Sequence, residues 1–205
     1  MKLTLFCIKF LLITLTINTY CQTEKIDSLK KLLSGNENSY KTRIEIMNTI
    51  AEEYYYLNID SAKQYAENAL NKSKESGFKQ EKAEALKHLG NIYYLMADLE
   101  KAISYYESAR ELYKGMEDQE GISKILNNLG NIRTFQGKFV EALAFYRQSL
   151  EYEKEFKNET GIARCLHNLA CVHENIGNYS QALEYYHEAL RIIDKKKISK
   201  KKQII

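Results

Sequence analysis

With 205 residues, 44% of them hydrophobic, the chain is long enough for one domain and able to bury an interior, which argues against disorder by composition. It holds no Pro, the residue helices tolerate least, so an all-helical chain is expected. The formal charge of +3 is unevenly spread: six lysines follow Asp194 and Lys2 and Lys9 open the chain, leaving 22 basic against 27 acidic residues between them, and an acidic body with a basic tail does not resemble a nucleic-acid-binding surface.

Residues 1–21 combine a charged front with an apolar run from Phe10 to Ile17. That run is far short of the roughly 20 residues that span a bilayer. It predicts a cleaved secretory signal, with Thr19 and Cys21 as the small residues around a cut before Gln22, and hence an exported, periplasmic or secreted protein. Lys9 and the short apolar run disfavour an uncleaved anchor, and Asn18-Thr19-Tyr20 lack the Leu-x-small pattern that precedes a lipidated cysteine. After the cut two cysteines remain, Cys165 and Cys171. Six residues apart on one predicted helix, they are about 9 Å apart along the axis. A disulfide needs Cα atoms within about 7 Å, so they do not bridge.

Residues 22–42 predict a short helix and a linker. Thr23 to Leu33 sets Ile26, Leu29, Leu32 and Leu33 on one face, as a cap for the first repeat. From residue 43 to 194 a skeleton repeats: Leu89-Gly90, Ala102 and Tyr106; then Leu129-Gly130, Ala142 and Tyr146; then Leu169-Ala170, Ala182 and Tyr186, each set 40 residues after the last. A degenerate first copy, one residue shorter near Asn58, has Ile50-Ala51, Tyr54, Ala62 and Ala69. The spacing predicts repeats over about 43–78, 79–118, 119–158 and 159–194, each a pair of helices. The first helices of the regular copies are expected over Gln80–Met96, Gln119–Gln136 and Glu159–Ile176. Their second helices are expected over Leu99–Lys114, Phe139–Phe156 and Tyr179–Asp194, after turns at Ala97-Asp98, Gly137-Lys138 and Gly177-Asn178. Gly130 against Ala142 would let two helix axes approach to about 8 Å. One pair cannot bury its apolar face alone, whereas stacked pairs can. Residues 195–205 carry no repeat pattern and are expected to be a disordered basic tail. The last pair would then lack a polar cap, leaving Leu183, Leu190 and Ile193 open to water or to a partner.

These residues resemble the tetratricopeptide (TPR) family: Leu89, Gly90, Tyr93, Ala102, Tyr106 and Ala109 match its signature, and the later copies repeat it in phase. The departures are a 40-residue period where 34 is usual, no closing Pro, and Arg133 and His173 where Tyr is expected. The resemblance implies an all-α, right-handed α-solenoid of about four helix-turn-helix repeats, whose first helices line a groove for a protein or peptide. The implied groove residues are Lys87, His88, Asn91, Lys124, Asn127, Asn128, Asn131, Arg164, His167 and Asn168, with Glu84 and Cys171 beside them. The asparagines sit mid-helix, where Asn has poor propensity. An amide can bind a peptide C=O and N–H together, or equally bond a neighbouring helix. Lys87, Asn91, Asn128 and Arg164 are also similar to a carboxylate clamp, but the second cation is missing at Asn168.

The sequence contains no HExxH, phosphate loop, paired-cysteine zinc motif or nucleophile elbow. His167 and Cys171 share a helix face, yet two ligands do not make a zinc site. The expectation is a non-catalytic binding scaffold with no cofactor, no metal and no nucleic-acid partner, able to associate through its uncapped C-terminal repeat. The alternative is the truncated extracytoplasmic sensor region of a bacterial signalling protein, a histidine kinase or a transcription regulator, which the exported start and the 40-residue repeats resemble.

Overall fold

Residues 22–35 and 37–202 are described by a computed structural model, with side chains as far as Lys195; the predicted signal segment and the last three residues lie outside it. Every regular element among the described residues is helical. Helix α1 spans 22–34. It is followed by α2 (Tyr40–Glu53), α3 (Ile59–Ser76), α4 (Lys79–Leu95), α5 (Leu99–Gly115), α6 (Gln119–Phe135), α7 (Phe139–Glu155), α8 (Glu159–Asn175) and α9 (Tyr179–Lys202). The expected helix pairs are therefore present.

The turns explain why the period holds. Six connections each place one residue in the left-handed region: Ala97, Gly137 and Gly177 between the helices of a pair, and Gly77, Glu117 and Lys157 between pairs. Each series steps by 40. The left-handed residue lets the following N–H reach back to close the helix, as Lys138 does to the Arg133 carbonyl (2.8 Å) and Asn178 to that of His173 (2.8 Å). The next residue often caps the following helix: Asp98, Asp118 and Asn158 accept from the backbone N–H three positions on. The first connection is different. Residues 54–57 turn without a left-handed residue and Asn58 caps α3 from an extended conformation, which accounts for the shorter first copy.

The described residues form two compact units, divided after Met96. In the first, α2, α3 and α4 pack mutually around Ile44, Ile50, Ala51, Ala62 and Ala66. Helix α1 contributes buried Ile26 and is tied to α2 by Gln22 Nε2 donating to the Glu53 carbonyl (2.9 Å) and by a Lys25–Glu53 ion pair (2.5 Å). Leu32, expected on the apolar face of α1, is 53% exposed; the inward stripe is Ile26, Leu29 and Leu33.

In the second unit α5 through α9 stack in sequence. A core of Tyr146, Leu150, Cys165, Leu166, Leu169, Val172 and Ala189 runs through its last three helices. Ala142 is fully buried. What lies over Gly130, however, is the Tyr146 ring: a Cβ added there would come within 2.6 Å of it. The small residue makes room for an aromatic ring, rather than only for Ala142.

The tail differs from expectation. Helix α9 does not stop at Asp194 but continues to Lys202. No Pro or Gly interrupts residues 195–202, Lys is a good helix former, and cations near a helix C-terminus complement its dipole.

Candidate functional site

The first helices carry the predicted groove residues, and most of these are engaged with other side chains of the chain. In the first unit Lys87 pairs with Glu84. His88 is buried and shares a hydrogen bond between its Nδ1 and the Tyr55 hydroxyl. Burial, with Lys87 second, holds the His88 pKa down to about 3, so the ring is neutral at neutral pH. Asn91 Nδ2 donates to the same Tyr55 hydroxyl (3.0 Å).

In the second unit Asn168 Nδ2 donates to Asn127 Oδ1 (2.9 Å), linking α6 to α8 across two repeats. Asn131 Oδ1 accepts from the Tyr146 hydroxyl (2.7 Å). Lys124 pairs with Glu120 (2.8 Å), and Asn128 is half-buried. The asparagines Asn91, Asn127, Asn131 and Asn168 thus hold helices in register. Their unusual mid-helix placement is explained by partners within the chain. Arg164 and His167 are exposed.

The junction before α8 is polar and closed. Glu153 of α7 is fully buried and accepts from Ser123 Oγ (2.9 Å), Asn158 Nδ2 (2.7 Å) and Arg164 Nη2 (3.1 Å). Gly161 passes so near it that a Cβ there would lie 2.0 Å from the carboxylate. One repeat earlier Gly121 passes Tyr113 in the same way, at 2.3 Å. Helix α8 therefore sits in a seat between α6 and α7, lined by Ser123, Ser149, Leu150 and Glu153, all buried.

Forty residues on, the same positions line an open cleft of about 730 Å³ between α8 and α9. Its walls are Ala163, Ala189, Leu190, Ile192 and Ile193, with Arg164, His167 and Tyr186 around them. Leu190 is 55% exposed where Leu150 is 8%, and Ile193 is 42% exposed where Glu153 is 0%. The Tyr186 hydroxyl donates to Glu174 Oε2 (2.8 Å) and lies 3.3 Å from Cys171 Sγ; the Cys171 contact first, then burial and Glu174, push its pKa up. His167 Nε2 is 3.5 Å from the same sulfur. No group of three His, Cys, Asp or Glu side chains placed to hold a metal occurs among the described residues. Cys165 and Cys171 are both free thiols. The cleft is legible in the sequence only in part: Leu190 and Ile193 read as unburied, but the joint arrangement of Ala163, Ala189 and Ile192 leaves no signal there.

A sequence search of curated proteins returns no match. Among solved structures, the chain is similar to BtubC from P. vanneervenii, at 19% identity and a TM-score of 0.67, over 83% of this chain and 71% of that one. It is also similar to aspartyl phosphate phosphatase F from Bacillus subtilis, at 16% identity and a TM-score of 0.73, over 86% of this chain and 49% of that one. A Rap protein complexed with competence and sporulation factor overlays at 19% identity and a TM-score of 0.76, over 86% of this chain and 50% of that one. The chain spans about half the length of these last two proteins, and at such identities the likeness is one of fold. Residues 85–120 and 121–195 match tetratricopeptide-repeat family profiles, together more than half of the chain, so the protein belongs to the tetratricopeptide-repeat family.

Proposed function

We propose that the protein is a non-catalytic scaffold that binds a protein or peptide, with the first-helix face and the cleft between α8 and α9 as its contact surfaces. The observation that carries this reading is the open cleft. It repeats the geometry of a seat that α8 fills one repeat earlier, but it is lined by alanines, leucine and isoleucine in place of serines and a glutamate. The outward face of α9 exposes Leu183, Leu190 and Ile193, apolar side chains that gain by being covered. Burying each such side chain contributes about 1.5–3 kcal/mol, and Arg164 and His167 at the cleft supply polar specificity. The similar Rap protein is complexed with competence and sporulation factor, which supports the use of such a fold for binding a partner.

The apolar run near the start supports an exported location, so the ligand would be met outside the cytoplasm. Use as the sensor region of a signalling protein would employ the same cleft. The test is selection of peptides from a displayed random library on the parent protein. Selected peptides are expected to lose at least about tenfold in affinity for a Leu190→Asp/Ile193→Asp variant whose unfolding temperature is unchanged. Equal binding by parent and variant would overturn the proposal.

A further inference from the structure

The cleft between α8 and α9 has filled counterparts earlier in the chain, and they show what kind of segment fits it. In the seat beneath α8, Gly161 passes the Glu153 carboxylate, Cys165 Sγ lies 3.3 Å from Ser149 Oγ, and Asn168 Nδ2 donates to Asn127 Oδ1 (2.9 Å). These residues fall at positions n, n+4 and n+7 of the incoming helix, the spacing of one helix face. Helix α6 enters over α5 by the same pattern. Its Gly121 passes the Tyr113 ring, fully buried Ile125 follows four residues on, and Asn128 three after that.

The seat and the incoming residue vary together. Where the second helix carries Ser149, the residue at n+4 is Cys165; where it carries Ala109, that residue is Ile125. The open cleft carries Ala189, with Ala163 in the place of Ser123, so the side chain it calls for at n+4 is a larger apolar one. Ile193 stands where Glu153 and Tyr113 stand and asks for Gly or Ala at n. Exposed His167 stands where Asn127 does and offers a ring nitrogen to a polar side chain at n+7. The described chain does not supply such a segment: a left-handed residue turns it at 77, 117 and 157, whereas at 197 α9 continues on to Lys202.

We propose that the cleft takes an amphipathic α-helix of a bound partner, running antiparallel to α9 as α8 runs to α7, with Gly or Ala at n, Leu, Ile or Met at n+4 and a polar residue at n+7. Ala189 and Ile193 are four residues apart, about 6 Å along α9. A helical ligand sets n and n+4 at the same spacing, whereas an extended one would set them about 13 Å apart. The inference rests on the reading of this cleft as a ligand surface and adds the conformation and register of the ligand.

The probe is a synthetic peptide of residues 118–136, the sequence of α6 with its capping Asp118, titrated into the ¹⁵N-labelled full chain. It carries Gly121, Ile125 and Asn128 at the three positions. Saturable shifts of the Ala163, Ala189 and Ile193 backbone resonances are expected, with a gain in helical circular dichroism over the sum of the two components. Peptides bearing Gly121→Leu or Ile125→Asp should bind at least about tenfold more weakly. An Ile125→Pro peptide, whose helix is broken, should not bind. In the protein, Ile193→Asp should abolish the response, and the exposure of Ile193 keeps the fold intact. The absence of saturable shifts up to about 1 mM parent peptide overturns the proposal, as does equal binding of the Gly121→Leu or Ile125→Pro peptide. Self-association of the chain that Ile193→Asp reverses and the peptide does not displace would give the cleft to a second copy, and overturns it too. Library-selected peptides that depend on Leu190 and Ile193 but bind in an extended form would overturn the helix and its register while leaving the binding role of the cleft standing, so the two readings fail separately.

Discussion

The seat between α6 and α7 and the cleft between α8 and α9 are built from positions one repeat apart, yet one is closed and polar while the other is open and apolar. Ser123, Ser149 and Glu153 are bonded beneath α8, with Ser149 Oγ also 3.3 Å from Cys165 Sγ. Their counterparts Ala163, Ala189 and Ile193 offer only carbon surface. The repeat frame assigns each residue a place, whereas burial depends on what packs next to it. A buried glutamate is tolerable because the side chains of Ser123, Asn158 and Arg164 answer it. An isoleucine at that place contributes stability only when something covers it.

The largest expected contrast is between the two leucines. Leu150→Ala should destabilise the fold by about 2–4 kcal/mol in urea unfolding, since it opens a cavity beneath α8. Leu190→Ala should stay within about 0.5 kcal/mol of the parent. Equal costs would mean that the two sites are not as different as their exposures.

Gly161→Ala should cost about 1–3 kcal/mol, because its methyl would meet the Glu153 carboxylate. Adding Glu153→Ser, a shorter residue at the same place, should recover part of that loss, and strict additivity in the double-mutant cycle would deny the contact. Ala142→Leu and Ala182→Leu should cost alike, about 1–3 kcal/mol each, since both methyls lie inside a helix pair rather than between pairs. Unequal thermal shifts would show that the open cleft loosens the last pair itself. The smallest effect is a gain: Lys157 holds a φ of 56° in the turn leading into α8. Lys157→Gly should raise stability by up to about 1 kcal/mol, whereas Gly137→Lys should lower it.

Much of the fold is legible in the spacing of a few residues. Leu129-Gly130, Ala142 and Tyr146 mark two helices and their contact because size constraints recur wherever the same packing recurs. The tail is not legible in this way, since a lysine run looks alike in a helix and in a loop until the preceding helix is seen to continue through it. The groove asparagines stand out as unusual but not as partnered: Asn127 and Asn168 lie 41 residues apart, and their bond exists only once α6 and α8 stand side by side.

Filling the open cleft from within the chain probes its role most directly. Residues 196–205 are replaced by a second copy of residues 156–178, so that a helix like α8 follows α9 in the same frame. If the cleft is a vacant seat that binds ligand, the filled protein unfolds at a higher temperature than the parent and loses binding to peptides selected on the parent. Retained peptide binding in the filled protein would contradict that role.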